Sequence, residues 1–119
     1  MKKISLAQKL ALFSEAWQPK IIADFNDCEV RLTKLQGPFL WHSHKDTDEL
    51  FLVVSGELIM EFRDRVEHVK SGEIIIVPRG MEHRTNCLEA CAVMILAKKD
   101  TLNTGDHDTA RSVHKLERI

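Results

Sequence analysis

Between Lys20 and Lys98, short apolar runs alternate with turn residues about every eight to ten positions. The runs predict strands over 20–25, 28–36, 39–44, 49–55, 57–63, 66–69, 73–77, 82–87 and 91–98. Turn residues separate them, among them Asn26-Asp27, Gly37-Pro38, Ser55-Gly56, Ser71-Gly72, Pro78-Arg79-Gly80 and the stretch 86–89. Many short strands without interleaved helices predict an all-β sandwich or barrel. Ahead of them, Ser5 to Ala16 reads as a helix. Leu6, Leu10, Phe13 and Trp17 share one face, Ser5 and Gln8 form a capping-box pattern, and Pro19 ends the run. That stripe is expected to cover the outside of the sheet.

Leu50 to Val54 and Ile74 to Val77 break the strand alternation, being apolar on both faces. In a barrel wall one face meets the interior, so the other needs a cover. The helix supplies some of it, and a homodimer is expected to supply the rest. From Asp100 the chain turns polar, with Val113, Leu116 and Ile119 as the apolar positions near its end. This tail either frays or packs over a barrel edge or partner subunit. The expected organisation is one domain over 1–119, with helix 5–16, barrel 20–98 and polar tail 100–119.

Charge adds an exclusion. With 17 basic and 18 acidic residues the net charge is −1, and neither sign forms a block. Nucleic acid is therefore not an expected partner. Gln8, Lys9 and Glu15 interrupt the apolar residues after Lys2-Lys3, which argues against a signal peptide. No stretch reaches the ~18 apolar residues of a membrane span. Three cysteines, Cys28, Cys87 and Cys91, suit a reducing compartment, so the expected location is cytoplasmic. Cys87 and Cys91 are read as small buried hydrophobes.

The chemistry concentrates at Trp41-His42-Ser43-His44. Residues two apart on a strand face the same way, so His42 and His44 present both imidazoles to one side. Glu49 follows a short polar turn at the entrance to the next apolar run. His83 lies just past Pro78-Arg79-Gly80, where Gly80 can supply a positive φ. Three imidazoles and a carboxylate make a four-ligand cage for one divalent metal. His68, His107 and His114 have no such partners and read as surface residues. Trp41 and Phe39 read as packing residues outside the barrel.

Two spaced motifs carry a family resemblance. Gly37-(x4)-His42-x-His44-(x4)-Glu49-(x6)-Gly56 resembles cupin motif 1, and Gly72-(x5)-Pro78-x-Gly80-(x2)-His83-(x2)-Asn86 resembles cupin motif 2. The spacing before His42 is four residues where the family has five, and that after His83 is two where it has three. Both departures lie outside the ligand set. The whole chain, including Leu102 to Asp106, is similar to small single-domain cupins loosely labelled mannose-6-phosphate-isomerase-like. The resemblance implies a double-stranded β-helix, or jelly-roll barrel, with His42, His44, Glu49 and His83 as metal ligands. Gly56, Gly72, Pro78 and Gly80 carry over as turn residues.

Such a set leaves two coordination positions open on an octahedral ion, for an oxygen-bearing small molecule or for a substrate with O₂. Zinc prefers four ligands, which favours manganese, iron or nickel. Glu49 inward turns Phe51 and Val53 inward as well. On the next strand either Met60 and Phe62, or Ile59, Glu61 and Arg63, face in. With the first set inward the pocket is mostly apolar and suits a small, modestly polar ligand. Glu61, Glu73 and Lys34 are the candidates for an additional acid or base. Isomerisation or oxygenation of a sugar-like or enediol metabolite is one expected function, and non-catalytic ligand binding or sensing is the alternative.

Overall fold

The computed structural model describes residues 1–119. One short helix, α1 (Leu6–Leu10), precedes eight strands: β1 (Lys20–Phe25), β2 (Cys28–Pro38), β3 (Glu49–Ser55), β4 (Glu57–Phe62), β5 (Val66–Lys70), β6 (Ile74–Val77), β7 (His83–Lys98) and β8 (Glu117–Arg118). Two long strands form the spine. β2 and β7 pair antiparallel from Cys28↔Lys98 to Pro38↔Asn86. The second half of β7 also pairs with β3, and β3 with β6. The first half of β7 pairs with β4, and β4 with β5. The spine therefore joins both halves of one continuous eight-stranded sheet, which folds round the core.

Side chains alternating along each strand fill that core. Phe51 and Val53 of β3, Leu58, Met60 and Phe62 of β4, Val69, Val77, and Val93, Ile95 and Ala97 of β7 form one buried cluster. This settles the β4 register: Met60 and Phe62 face in, while Glu61 turns outward to an ion pair with Arg84 at 3.1 Å.

Where the sequence suggested a break at 86–89, β7 does not end. Leu35 pairs with Cys91 and Gly37 with Cys87, so two steps on β2 oppose four on β7. Residues 88–90 are extruded as a bulge, and Leu88 stands 80% exposed. Cys87 and Cys91 have Cα atoms only 6.4 Å apart, where four extended residues would span about 13 Å. Both are buried as expected, but their sulfurs pair across the base of the bulge, a contact the reading as separate apolar fillers did not foresee. The predicted strand 39–44 is also absent. In its place is an isolated bridge between His42 and His83, because this segment follows the end of β2 as an irregular strip along β7.

The N-terminal helix is shorter than predicted. Ser5 Oγ accepts the Gln8 N–H at 3.2 Å, but the helix closes at Ala11 and buries none of its residues. A helix this short gains little by continuing without a buried face. The chain instead leaves helical geometry and places Phe13 and Trp17 separately. Phe13 is buried over the outer side of β2, where the Lys34 ammonium donates to its carbonyl. Trp17, at φ +66°, donates its N–H to Lys34 O at 2.9 Å and turns toward the barrel mouth.

The C-terminal residues close the same end. β8 pairs with β1 through Lys20↔Glu117 and Ile21↔Arg118. Thr104 is fully buried, and the Asp106 N–H donates to Ser43 O at 3.0 Å. Gly105, at φ +78°, lies so close to Ser43 O and His42 Cβ that a side chain there has no space. Gly105→Ala is expected to lower stability by more than about 1 kcal/mol and to expose residues 100–119 to limited proteolysis. Wild-type cleavage rates across that segment would contradict this packing.

Candidate metal centre

The four side chains singled out in the sequence meet at one point inside the barrel. His42 and His83 exchange both backbone hydrogen bonds, each at 2.9 Å. Directly opposed residues in an antiparallel pair share a face, and their rings lie 4.3 Å apart between centroids. His44 follows two residues on, and its carbonyl accepts the Gly80 N–H at 2.7 Å. That bond fastens the Pro78-Arg79-Gly80 turn to the histidine segment, with Gly80 at φ +79°. Glu49 starts β3 opposite Val77, the last residue of β6 before that turn. Asp48 holds the turn from the other side by accepting the Arg79 N–H at 2.9 Å.

One donor atom from each of His42, His44, Glu49 and His83 lies within 4.8 Å of the others, and all four residues are buried. Nδ1 of His42 lies 3.0 Å from Leu40 O, and Nδ1 of His83 lies 2.9 Å from Met81 O. A carbonyl can only accept, so each Nδ1 carries the proton and each Nε2 keeps a lone pair for the centre. Glu49 Oε1 stands 3.4 Å from His44 Nε2 and 3.5 Å from His83 Nε2. These atoms are buried without a hydrogen-bond partner. Such separations are long for hydrogen bonds, but neighbouring ligands about 2.1 Å from a common ion are about 3.0–3.4 Å apart. The cluster is therefore one that could hold a metal ion.

Its electrostatics agree. Burial, with the adjacent His83 adding to it, lowers the His42 pKa to about 4, leaving the imidazole neutral at pH 7. Burial is also the largest single influence on Glu49, pushing its carboxyl up. The nearby His44 and His83 together outweigh it and hold the group below the usual carboxylate range. Neutral imidazoles and one carboxylate are the protonation states in which these groups bind metal.

A cavity of ≈ 50 Å³ opens beside His42 and Glu49. Arg31, Thr33, Phe39, Phe51, Thr85 and Asn103 form much of its wall. The sequence reading foresaw Phe51 but not the four polar residues. Phe39, read as outside packing, faces the cavity instead: it stacks on Trp17 at 5.0 Å and meets His42 edge-on at 5.5 Å. Strand parity fails there because residues 39–41 are not strand. Trp41 does lie outside, beneath the Arg63 guanidinium at 3.8 Å. The suggested acid/base residues point elsewhere, Glu61 to Arg84, Glu73 to the Lys70 N–H and Lys34 to Phe13 O. His68, His107 and His114 are exposed.

One mostly antiparallel sheet wrapped round three imidazoles and a carboxylate defines a barrel of the cupin class. Residues 30–97, more than half of the chain, match the Cupin domain family, and the chain belongs to it. A cupin-2 domain containing protein from Shewanella frigidimarina has the same fold at TM-score 0.80, with 40% identity over 81% of this chain and 94% of its own. Protein NMB1881 from Neisseria meningitidis superposes at TM-score 0.76, with 30% identity over 82% of this chain and all of its own length. Uncharacterized protein YdbB of Bacillus subtilis is 43% identical over 65 residues, spanning 54% of this chain and 58% of that protein.

Phe39 links the cavity wall to the cluster, so its removal should be felt strongly. Phe39→Ala is expected to destabilise the protein by about 3 kcal/mol or more, measured as a lower midpoint in urea unfolding. A shift under about 1 kcal/mol would mean that the ring is not part of the packed wall.

Proposed function

We propose that this cupin is a metal-dependent enzyme. It acts on a small oxygenated metabolite, sugar-like or enediol in character, by isomerisation or oxygenation. The observation that carries this reading is the set of unpartnered donor atoms on His44, Glu49 and His83, beside a cavity that His42 and Glu49 help to line. A divalent ion on His42, His44, Glu49 and His83 would supply Lewis acidity, with open positions for oxygen donors. Manganese, iron or nickel suits those open positions better than zinc.

One observation favours a non-catalytic binding or sensing module instead. Apart from the cluster itself and Arg31, which is ion-paired with Glu29 at 2.8 Å, no titratable side chain lines the cavity. Turnover separates the two readings. Oxygen uptake, or interconversion of sugar and enediol isomers, marks the enzyme; tight retention of a ligand without turnover marks the binding module. For either reading, protein purified without chelator is expected to hold about one divalent ion per chain. His44→Ala should release most of it while circular dichroism keeps the β spectrum. Wild-type metal content in that variant would overturn the ligand assignment.

A second copy of the chain completes the proposal. On the outer face, Leu50 stands between Ile76 and Leu96, and Leu52 between Ile74 and Met94. Ile74 and Ile76 are 57% and 54% exposed. None of these six side chains is charged, so a twofold axis through them sets like against like without repulsion. A homodimer is expected by light scattering, with Ile76→Lys shifting it to monomer. A wild-type monomer at about 100 μM would overturn the dimer alone.

A further inference from the structure

β2 turns a polar row inward. Glu29, Arg31 and Thr33 are all buried, at 6%, 5% and 2% exposure. Arg31 Nε and Nη2 donate to Glu29 Oε2 at 3.1 and 2.8 Å, and Nη1 donates to Thr101 O at 2.8 Å. A guanidinium has five N–H groups, so one on each terminal nitrogen remains. Thr33 Oγ1 is buried with no partner. Both residues line the cavity that His42 and Glu49 border. Register fixes their place. Arg31 and Phe51 oppose Ile95 from its two sides, which sets Arg31 two strand spacings, about 10 Å, from Phe51. Glu49 is the next inward residue along β3. The cavity wall therefore carries a second polar pole, on the same sheet as Glu49 and apart from the metal ligands.

Resting on the metal-binding reading above, we propose that this pole selects the ligand. The ligand is a short monoanionic hydroxy acid whose carboxylate and hydroxyl oxygens face the cluster. A further hydroxyl at its far end meets Thr33 Oγ1 and the free N–H groups of Arg31. Charge supports the class. A divalent ion with one carboxylate and three neutral imidazoles is +1, Arg31 and Glu29 cancel, and a monoanion neutralises the site. Size supports it too. A cavity of ≈ 50 Å³ takes roughly four waters, which limits the ligand to about three carbons. The far hydroxyl matters because Thr33 is otherwise left unpaired, and a site built around a buried polar group rejects ligands that lack its partner.

Glycerate and lactate test this directly, since both are monoanions with the same carboxylate–hydroxyl end and differ by the terminal hydroxyl. Calorimetry on manganese-loaded protein is expected to show glycerate binding about tenfold tighter than lactate. Thr33→Val should erase most of that ratio and leave lactate affinity and metal content unchanged. The paired variant Arg31→Met with Glu29→Met removes the ion pair without stranding a buried charge, and should likewise erase the preference. Equal affinity of wild type for the two acids, or an undiminished preference in Thr33→Val, overturns the selecting pole while the metal site stands. Protein that takes up no manganese, iron or nickel overturns both readings.

Discussion

Glu49 places a carboxylate in the middle of an apolar barrel, and a buried charge costs several kcal/mol unless groups around it compensate. A cation held together with His44 and His83, whose nitrogens approach to 3.4 and 3.5 Å, would compensate it. Those two side chains belong to segments nearly forty residues apart in the chain. Bringing them together requires the His42–His83 bridge, the Gly80–His44 bond and the pairing of β3 with β6. The backbone pattern at this end of the barrel is thus tied to one charged group. Loosening any of these contacts leaves the carboxylate without partners.

The segments outside the barrel answer a second demand, that the site be shielded from bulk water. Trp17 arrives from the N-terminal side and stacks on Phe39. From the C-terminal side, the Arg111 guanidinium lies 4.8 Å from Trp17 and 4.4 Å from Phe39. Asn103 fixes that arm by donating to Arg111 O at 3.0 Å and accepting from Val113 N at 2.8 Å. Two chain ends of ordinary polarity meet over an aromatic pair at the cavity wall. Low dielectric inside would strengthen the hold of Glu49 on a bound cation, so the cover and the cluster reinforce each other.

The cluster could be read from sequence because its geometry follows from short spacings: two imidazoles at alternate positions, a carboxylate after a tight turn and a histidine after Pro-x-Gly. On β3 the inward Glu49 carried Phe51 and Val53 with it, whereas the β4 register stayed open until the packed core placed Met60 and Phe62 inside. What misled was β2. Val30, Leu32 and Lys34 lie on one side, with Glu29, Arg31 and Thr33 on the other, and simple polarity would turn the charged row to solvent. The order is reversed because Phe13 and Lys20 cover the outer face, leaving Leu32 with no exposure. Nothing local to β2 encodes that cover. The same dependence on distant contacts hid the short helix, the bulge at 88–90 and the docking of residues 100–119.

The buried Arg31–Glu29 pair is hard to explain by stability alone. A pair of hydrophobic residues of similar volume often serves a core as well or better, and Ile95 and Ala97 oppose these two positions on β7. A fully satisfied guanidinium would still be a structural feature. This one uses Nε and one N–H on each terminal nitrogen, and it borders the cavity with N–H groups to spare. Beside it stands a hydroxyl that has no partner within the fold. A polar pair and an unpartnered hydroxyl kept in the wall of the same cavity as a set of metal-type ligands are explained when both ends of one small molecule complete the site.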